Sequence, residues 1–142
     1  MTSQRDHESL RNAAKSLDVF STARVTVPRD QNGCLCTQSL NNWLSSTKQN
    51  TSIKTDPTNE TTSNILLVTT LVCGQTGAIE NLSGIHEILR KSVSRCTLHF
   101  DATQTVEKIP VSFAAINATS LTFAPHKFCG PRRIGCLLVQ KR

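Results

Sequence analysis

The 142 residues contain no tyrosine, one tryptophan and five phenylalanines. That scarcity counts against an RNA-recognition sheet, which stacks bases on aromatics of its central strands. No apolar run reaches the ~18 residues needed to span a bilayer. The first residues carry Arg5, Asp6, Glu8, Arg11 and Lys15 with no apolar stretch between them, so no signal peptide is expected. Catalytic signatures are missing too. There is no Gly-x-Ser-x-Gly elbow, and Gly74-x-x-Gly77 lacks the Lys-Ser/Thr of a phosphate loop and reads as a turn. Cys96 and His99 stand three apart in an alternating segment, on opposite faces of a strand, where they cannot form a dyad. Asp101 and Glu107 flank a short connection and read as solvated carboxylates. Six cysteines and four histidines invite a metal, above all His126-x-x-Cys129 with Cys136 and Cys34-x-Cys36. Neither the paired Cys-x-x-Cys nor the His-x(3–5)-His spacing of zinc sites occurs, so no metal is expected. These absences imply a protein without catalytic activity and without a cofactor.

What is present gives an α+β chain. Leu10, Ala13, Ala14, Leu17 and Phe20 recur at helical spacing over residues 7–20. Ala23–Val27 alternates like a strand, and Asn32-Gly33 is a type I′ turn signal that folds Cys34–Cys36 back against it. Ser39–Leu44 reads as a single helical turn. Ten of the nineteen residues in Ser45–Ser63 are Ser or Thr, and Ile53 is the sole large apolar one. Such a stretch buries too little to offset its ordering entropy and reads as a linker or long loop. The chain thus divides into an N-terminal helix and hairpin (1–44), a linker (45–63) and an α+β core (64–142).

That core opens with the apolar run Ile65–Cys73, continues with an amphipathic helix over residues 83–94 capped by Ser83, and adds strands at Cys96–Phe100, Ile109–Phe113, Ser120–Ala124 and Ile134–Val139. The simplest assembly is a mostly antiparallel sheet with one main helix packed on one face, plus the N-terminal helix.

Charge is unevenly placed. Residues 1–63 hold seven Lys/Arg against six Asp/Glu, and residues 64–142 hold nine against four. No acid follows Glu107, whereas Lys108, Lys127, Arg132, Arg133, Lys141 and Arg142 do. A basic end of this kind attracts polyanions.

The C-terminal half resembles a phosphotyrosine-binding (PTB) domain of the tensin type. Asn64–Val72 resembles its opening strand, Leu82–Leu89 the following helix and Thr97–Phe100 the next strand. Ile116–Phe123 is similar to the strand along the peptide groove, and Ile134–Lys141 to the strand after it. The family's C-terminal helix has no counterpart. The resemblance implies a non-catalytic adaptor that binds a peptide along a sheet edge at Ser120, Leu121, Thr122 and Phe123; the absence of an export signal, with the cysteines read as reduced thiols, makes an intracellular, cytoplasmic location the expectation. Charge alone makes Lys127, Arg132 and Arg133 the anion contacts. The alternative is a small basic nucleic-acid-binding accessory protein, held through the C-terminal end.

Overall fold

A computed structural model describes residues 1–3, 6–17, 24–50, 64–91 and 95–141. In chain order the elements are β1 (Thr2–Ser3), α1 (Glu8–Ser16), β2 (Thr26–Val27), α2 (Thr37–Asn50), β3 (Asn64–Thr70), α3 (Leu82–Lys91), β4 (Arg95–Asp101), α4 (Phe113–Ile116), β5 (Ser120–Phe123) and β6 (Cys136–Val139). The main sheet has the order β3-β4-β5-β6, and β1 pairs with β2 in a small parallel ribbon.

β3 runs parallel to β4, from Asn64 beside Arg95 to Thr70 beside Asp101, and β4 runs parallel to β5. Only β6 is antiparallel to its neighbour. The α+β content stands, as a mixed sheet with several helices, but the mostly antiparallel arrangement is corrected. The cause lies in the connections. A helix between two neighbouring strands carries the chain back to the starting end of the sheet, so the next strand must run the same way. α3 does this between β3 and β4, and residues 102–119, containing α4, do it between β4 and β5.

Successive side chains of a strand face opposite sides, which separates a dry face from a polar one. Ile65, Leu67, Leu98, Phe100 and Leu121 share the dry face, none more than 7% exposed. Ile85 of α3 and Ile116 of α4 belong to the same apolar cluster, as do Val27, Leu35, Leu40 and Leu44. Apolar residues on both sides of the Ser/Thr-rich stretch therefore pack together. α2 owes its length to Leu40 and Leu44, one turn apart and buried, with Trp43 packed against the cluster. It reaches Asn50, six residues into the segment expected as a linker; residues 51–63 lie outside those described.

Other local expectations shift. Asn81 rather than Ser83 caps α3: its Oδ1 accepts the Gly84 N–H at 3.0 Å. Ile109–Phe113 is not a strand, because Ser112 accepts the Ala115 N–H and starts α4, which Asn117 closes in the left-handed conformation (φ 50°). The Asn32-Gly33 turn forms, with Gly33 at φ 81° and Asp30 accepting the Asn32 and Cys34 N–H groups. The returning strand is reduced to one bridge, Leu35 opposite Arg29. The helix expected over residues 7–20 is present as α1, its last three residues lying outside those described, as does Ala23 of the expected strand. Among the described residues no helix is long and apolar enough to cross a membrane.

A buried ionic cluster joins the N-terminal residues to the sheet. Arg29 donates to Glu80 and to Gly33 O (2.8 Å), and through its other terminal nitrogen to Asp6 (3.2 Å) and Thr70 Oγ1 (3.1 Å). Asp6 also accepts the backbone N–H groups of Ser3 and Thr70 and the Thr69 hydroxyl. Glu80 accepts the Leu35 N–H at 2.8 Å. The Arg29 side chain is 4% exposed and both carboxylates 0%. Two carboxylates thus face one guanidinium. Burial pushes the Glu80 carboxyl above its ordinary 4.5, against the pull of the Leu35 N–H and Arg29, and burial likewise raises Asp6 above its ordinary 3.8.

Two predictions follow from this packing. Phe100→Ala should cost about 3–5 kcal/mol in denaturant unfolding, whereas Leu137→Ala, at a position 60% exposed, should stay within about 0.5 kcal/mol. The raised Glu80 pKa means that the folded state binds the extra proton between 4.5 and the higher folded value. Its contribution to stability is complete below 4.5 and lost as pH rises through that folded value. Glu80→Gln cannot ionise, so the thermal midpoint of the wild type should fall relative to Glu80→Gln as pH is raised above 4.5. Parallel midpoint curves would show that Glu80 titrates as it does in the unfolded chain.

Candidate active site

In open parallel sheets, ligands bind outside the carboxyl ends of the strands, where the connecting loops diverge. The parallel strands of this sheet all end on one side, and a cleft of about 640 Å³ lies there. Thr70, Val72, Gly74 and Gln75 enter it from the end of β3, Asp101, Thr103 and Gln104 from the end of β4, and Ala124, His126 and Lys127 from the end of β5. The outer wall consists of Asp6 with His7, Glu8, Ser9 and Arg11 at the start of α1.

Each wall has a local cause. Asp101 is the last residue of β4, and its Oδ1 accepts the Thr103 N–H at 2.9 Å, folding the chain into the turn that carries Gln104. The Gln104 amide oxygen accepts from Lys108 Nζ, and its stem lies close to Gly74. After β5, Pro125 opens a single 3₁₀ turn, Pro125–Phe128, which presents His126 and Lys127. Cys129 ends that turn in the left-handed conformation (φ 64°), and the Gly130 N–H returns to Pro125 O at 2.9 Å. A Cβ on Gly130 would lie 2.6 Å from the Pro125 Cβ and 2.8 Å from its carbonyl oxygen, so the closure requires glycine. His7 caps α1, accepting the Ser9 N–H through Nδ1.

On the polar face of the sheet, behind Asp101, stands His99. Its ring nitrogens meet the Ser120 hydroxyl at 2.8 Å and the Thr122 hydroxyl at 3.2 Å. Burial lowers its pKa below 6.5, opposed by the Asp101 charge. The ring is therefore kept toward its neutral form.

The residues singled out by sequence separate accordingly. Lys127 enters the cleft, but Arg132 and Arg133 are exposed and do not line it. Ser120, Leu121, Thr122 and Phe123 form β5, which has β4 on one side and β6 on the other. Its backbone groups are engaged on both sides, so it offers no edge to a peptide. Leu121 is buried in the core, and Phe123 sits against Phe128 with ring centroids 6.0 Å apart. No group of three potential metal ligands occurs among the described residues. Asp6, His7, Asp101 and Gln104 went unrecognised as site residues. The available signal was positional: Asp101 ends β4 and Lys127 follows β5, the two strands of one strand–helix–strand unit.

Comparison with known proteins agrees with this geometry. The aminotransferase class-V family profile matches residues 1–142. Cysteine desulfurase IscS of Aeromonas hydrophila is 37% identical over 71 residues, covering 50% of this chain and 17% of that protein. The Buchnera aphidicola cysteine desulfurase IscS is 28% identical over 142 residues, covering 100% of this chain and 31% of its own length. The chain thus spans less than a third of these relatives. Among solved structures, a NifS-like protein superposes with a TM-score of 0.77 at 24% identity, over 99% of this chain and 34% of that one. These matches overturn the PTB resemblance, whose apolar patterning is shared by any sheet with a covering helix. They also overturn the non-catalytic adaptor, since the relatives named are enzymes. From its first residue to its last, the chain belongs to the aminotransferase class-V family.

Proposed function

We propose that this chain contributes the cofactor cleft of a pyridoxal-phosphate enzyme that acts on an amino acid, with cysteine as the substrate of first choice. The observation that carries this reading is the placement of Lys127 and Asp101 at the ends of neighbouring strands, facing one cleft. Enzymes of this kind hold the cofactor aldehyde on a lysine amine and pair its ring nitrogen with an acidic residue, or in some cases an arginine. When bound, the cofactor supplies an electron sink for negative charge developing beside the substrate nitrogen.

The residues present fit that group. Lys127 is the one lysine lining the cleft among the described residues, and Asp101 is the carboxylate at the end of the central strand β4. Lys127 was expected to be an anion contact; in this reading its amine is the covalent attachment point. Arg11 is a second strong base on the wall and favours a phosphate dianion or a substrate carboxylate. His7 and His126 place two imidazoles at the rim, suited to accepting and returning protons near neutral pH. Gln104 adds an amide that can both donate and accept. Cysteine is chosen because the relatives are named cysteine desulfurases. We also place the protein inside the cell, with its six cysteines as free thiols.

The test is a titration with pyridoxal phosphate followed by borohydride reduction. The wild type should gain a visible absorbance band and, after reduction, one cofactor mass on the peptide containing Lys127, whereas Lys127→Ala should gain neither. Addition of L-cysteine, but not of L-alanine, should then shift the band. A wild-type chain that keeps no cofactor mass, or keeps it equally in Lys127→Ala, contradicts the assignment. Gly130→Ala should weaken cofactor retention by about tenfold or more, because displacing the Lys127 turn by even 1 Å spoils its approach.

A further inference from the structure

α1 supplies the outer wall of the cleft, yet it buries none of its own residues. Its principal contact with another element, among the described residues, is with the two-residue β1. A helix with so little burial gains little from packing of its own face. At its N-terminal end stands Asp6, one residue before the cap His7. The Asp6 carboxylate takes the Ser3 and Thr70 N–H groups and the Thr69 hydroxyl, which ties the start of α1 across the end of β3. Arg29 supplies the positive charge that partly offsets the burial of this carboxylate, which still holds its pKa above 3.8. Its guanidinium is fixed in turn by Glu80, Gly33 O and Thr70. Arg29 itself does not line the cleft.

We propose that Arg29 is a positioning residue for the active site: by holding the Asp6 carboxylate against the end of β3, it sets α1, and with it His7 and Arg11, as the cleft's outer wall. Its relevance to catalysis rests on the cofactor reading above, but the positioning does not. Loss of the guanidinium leaves two carboxylates facing each other. The donor they shared is then lost where α1 joins the sheet.

Amide hydrogen exchange on the whole chain, without cofactor, tests this directly. In Arg29→Gln the α1 amides should exchange about tenfold faster while those of β4 keep their wild-type protection. Arg29→Lys should restore part of the difference. Thr69→Val removes a single hydroxyl donor to Asp6 at a residue outside the cleft, and should accelerate α1 alone by about threefold. It decides the matter if Arg29→Gln does not fold. Unchanged α1 exchange in a folded variant, or equal acceleration across α1 and β4, would overturn the proposal. Pyridoxal phosphate titration of the same proteins is read separately. No cofactor uptake by the wild type sinks the cofactor assignment and leaves the exchange result standing, whereas uptake weakened in Thr69→Val links the wall to binding.

Discussion

Parallel pairing of β3, β4 and β5 is the constraint on which the rest of this structure depends. It is imposed by covalent connection: α3 and the α4 segment each return the chain to the same end of the sheet before the next strand begins. Because the strands then finish together, Thr70, Asp101 and Thr122 are brought side by side, although they are separated by 31 and 21 positions along the chain. An antiparallel order would have sent alternate strand ends to opposite sides and left Asp101 and Lys127 apart. The chemistry of the cleft is a consequence of direction, and direction is a consequence of the helices.

The second constraint is electrostatic. A guanidinium buried with two carboxylates contributes little net stability, because desolvation consumes most of the Coulomb attraction. Its value is geometric. Asp6, Arg29, Thr69, Thr70 and Glu80 come from four separate segments, and the hydrogen bonds among them require all four to be in place together. That arrangement joins the first residues to the end of β3, and the cleft wall follows from it. By contrast the core, from Leu40 and Leu44 through Ile85 to Phe100, is ordinary apolar packing that would tolerate many substitutions of similar volume.

Much of the element inventory was legible. The apolar run beginning at Ile65 is β3, the amphipathic stripe with Ile85 is α3, and the alternating Cys96–Phe100 segment is β4. Pro125 does end β5. The failures cluster where a local pattern has two physical readings. Ile109, Val111 and Phe113 alternate as in a strand, but Ser112 caps a short helix and wins. Ser and Thr in α2 look like linker composition, but Leu40 and Leu44 bury one side while Ser45 and Ser46 stay exposed. Asp101 looks solvated until β4 is known to end beside β5. The strand–helix–strand order already implied a parallel sheet and was the signal passed over.

By itself, the sequence determined the α+β composition, the position of most strands and the main helix, and which residues are apolar enough to be core, because these depend on periodicities of two and 3.6 residues that a chain carries locally. Only the tertiary structure decided the direction of the strands, the interior place of β5, the union of Asp6 with Arg29 and Glu80, and the placing of Asp101 and Lys127 on one cleft. Those depend on where a chain returns after a connection, and no local periodicity records that.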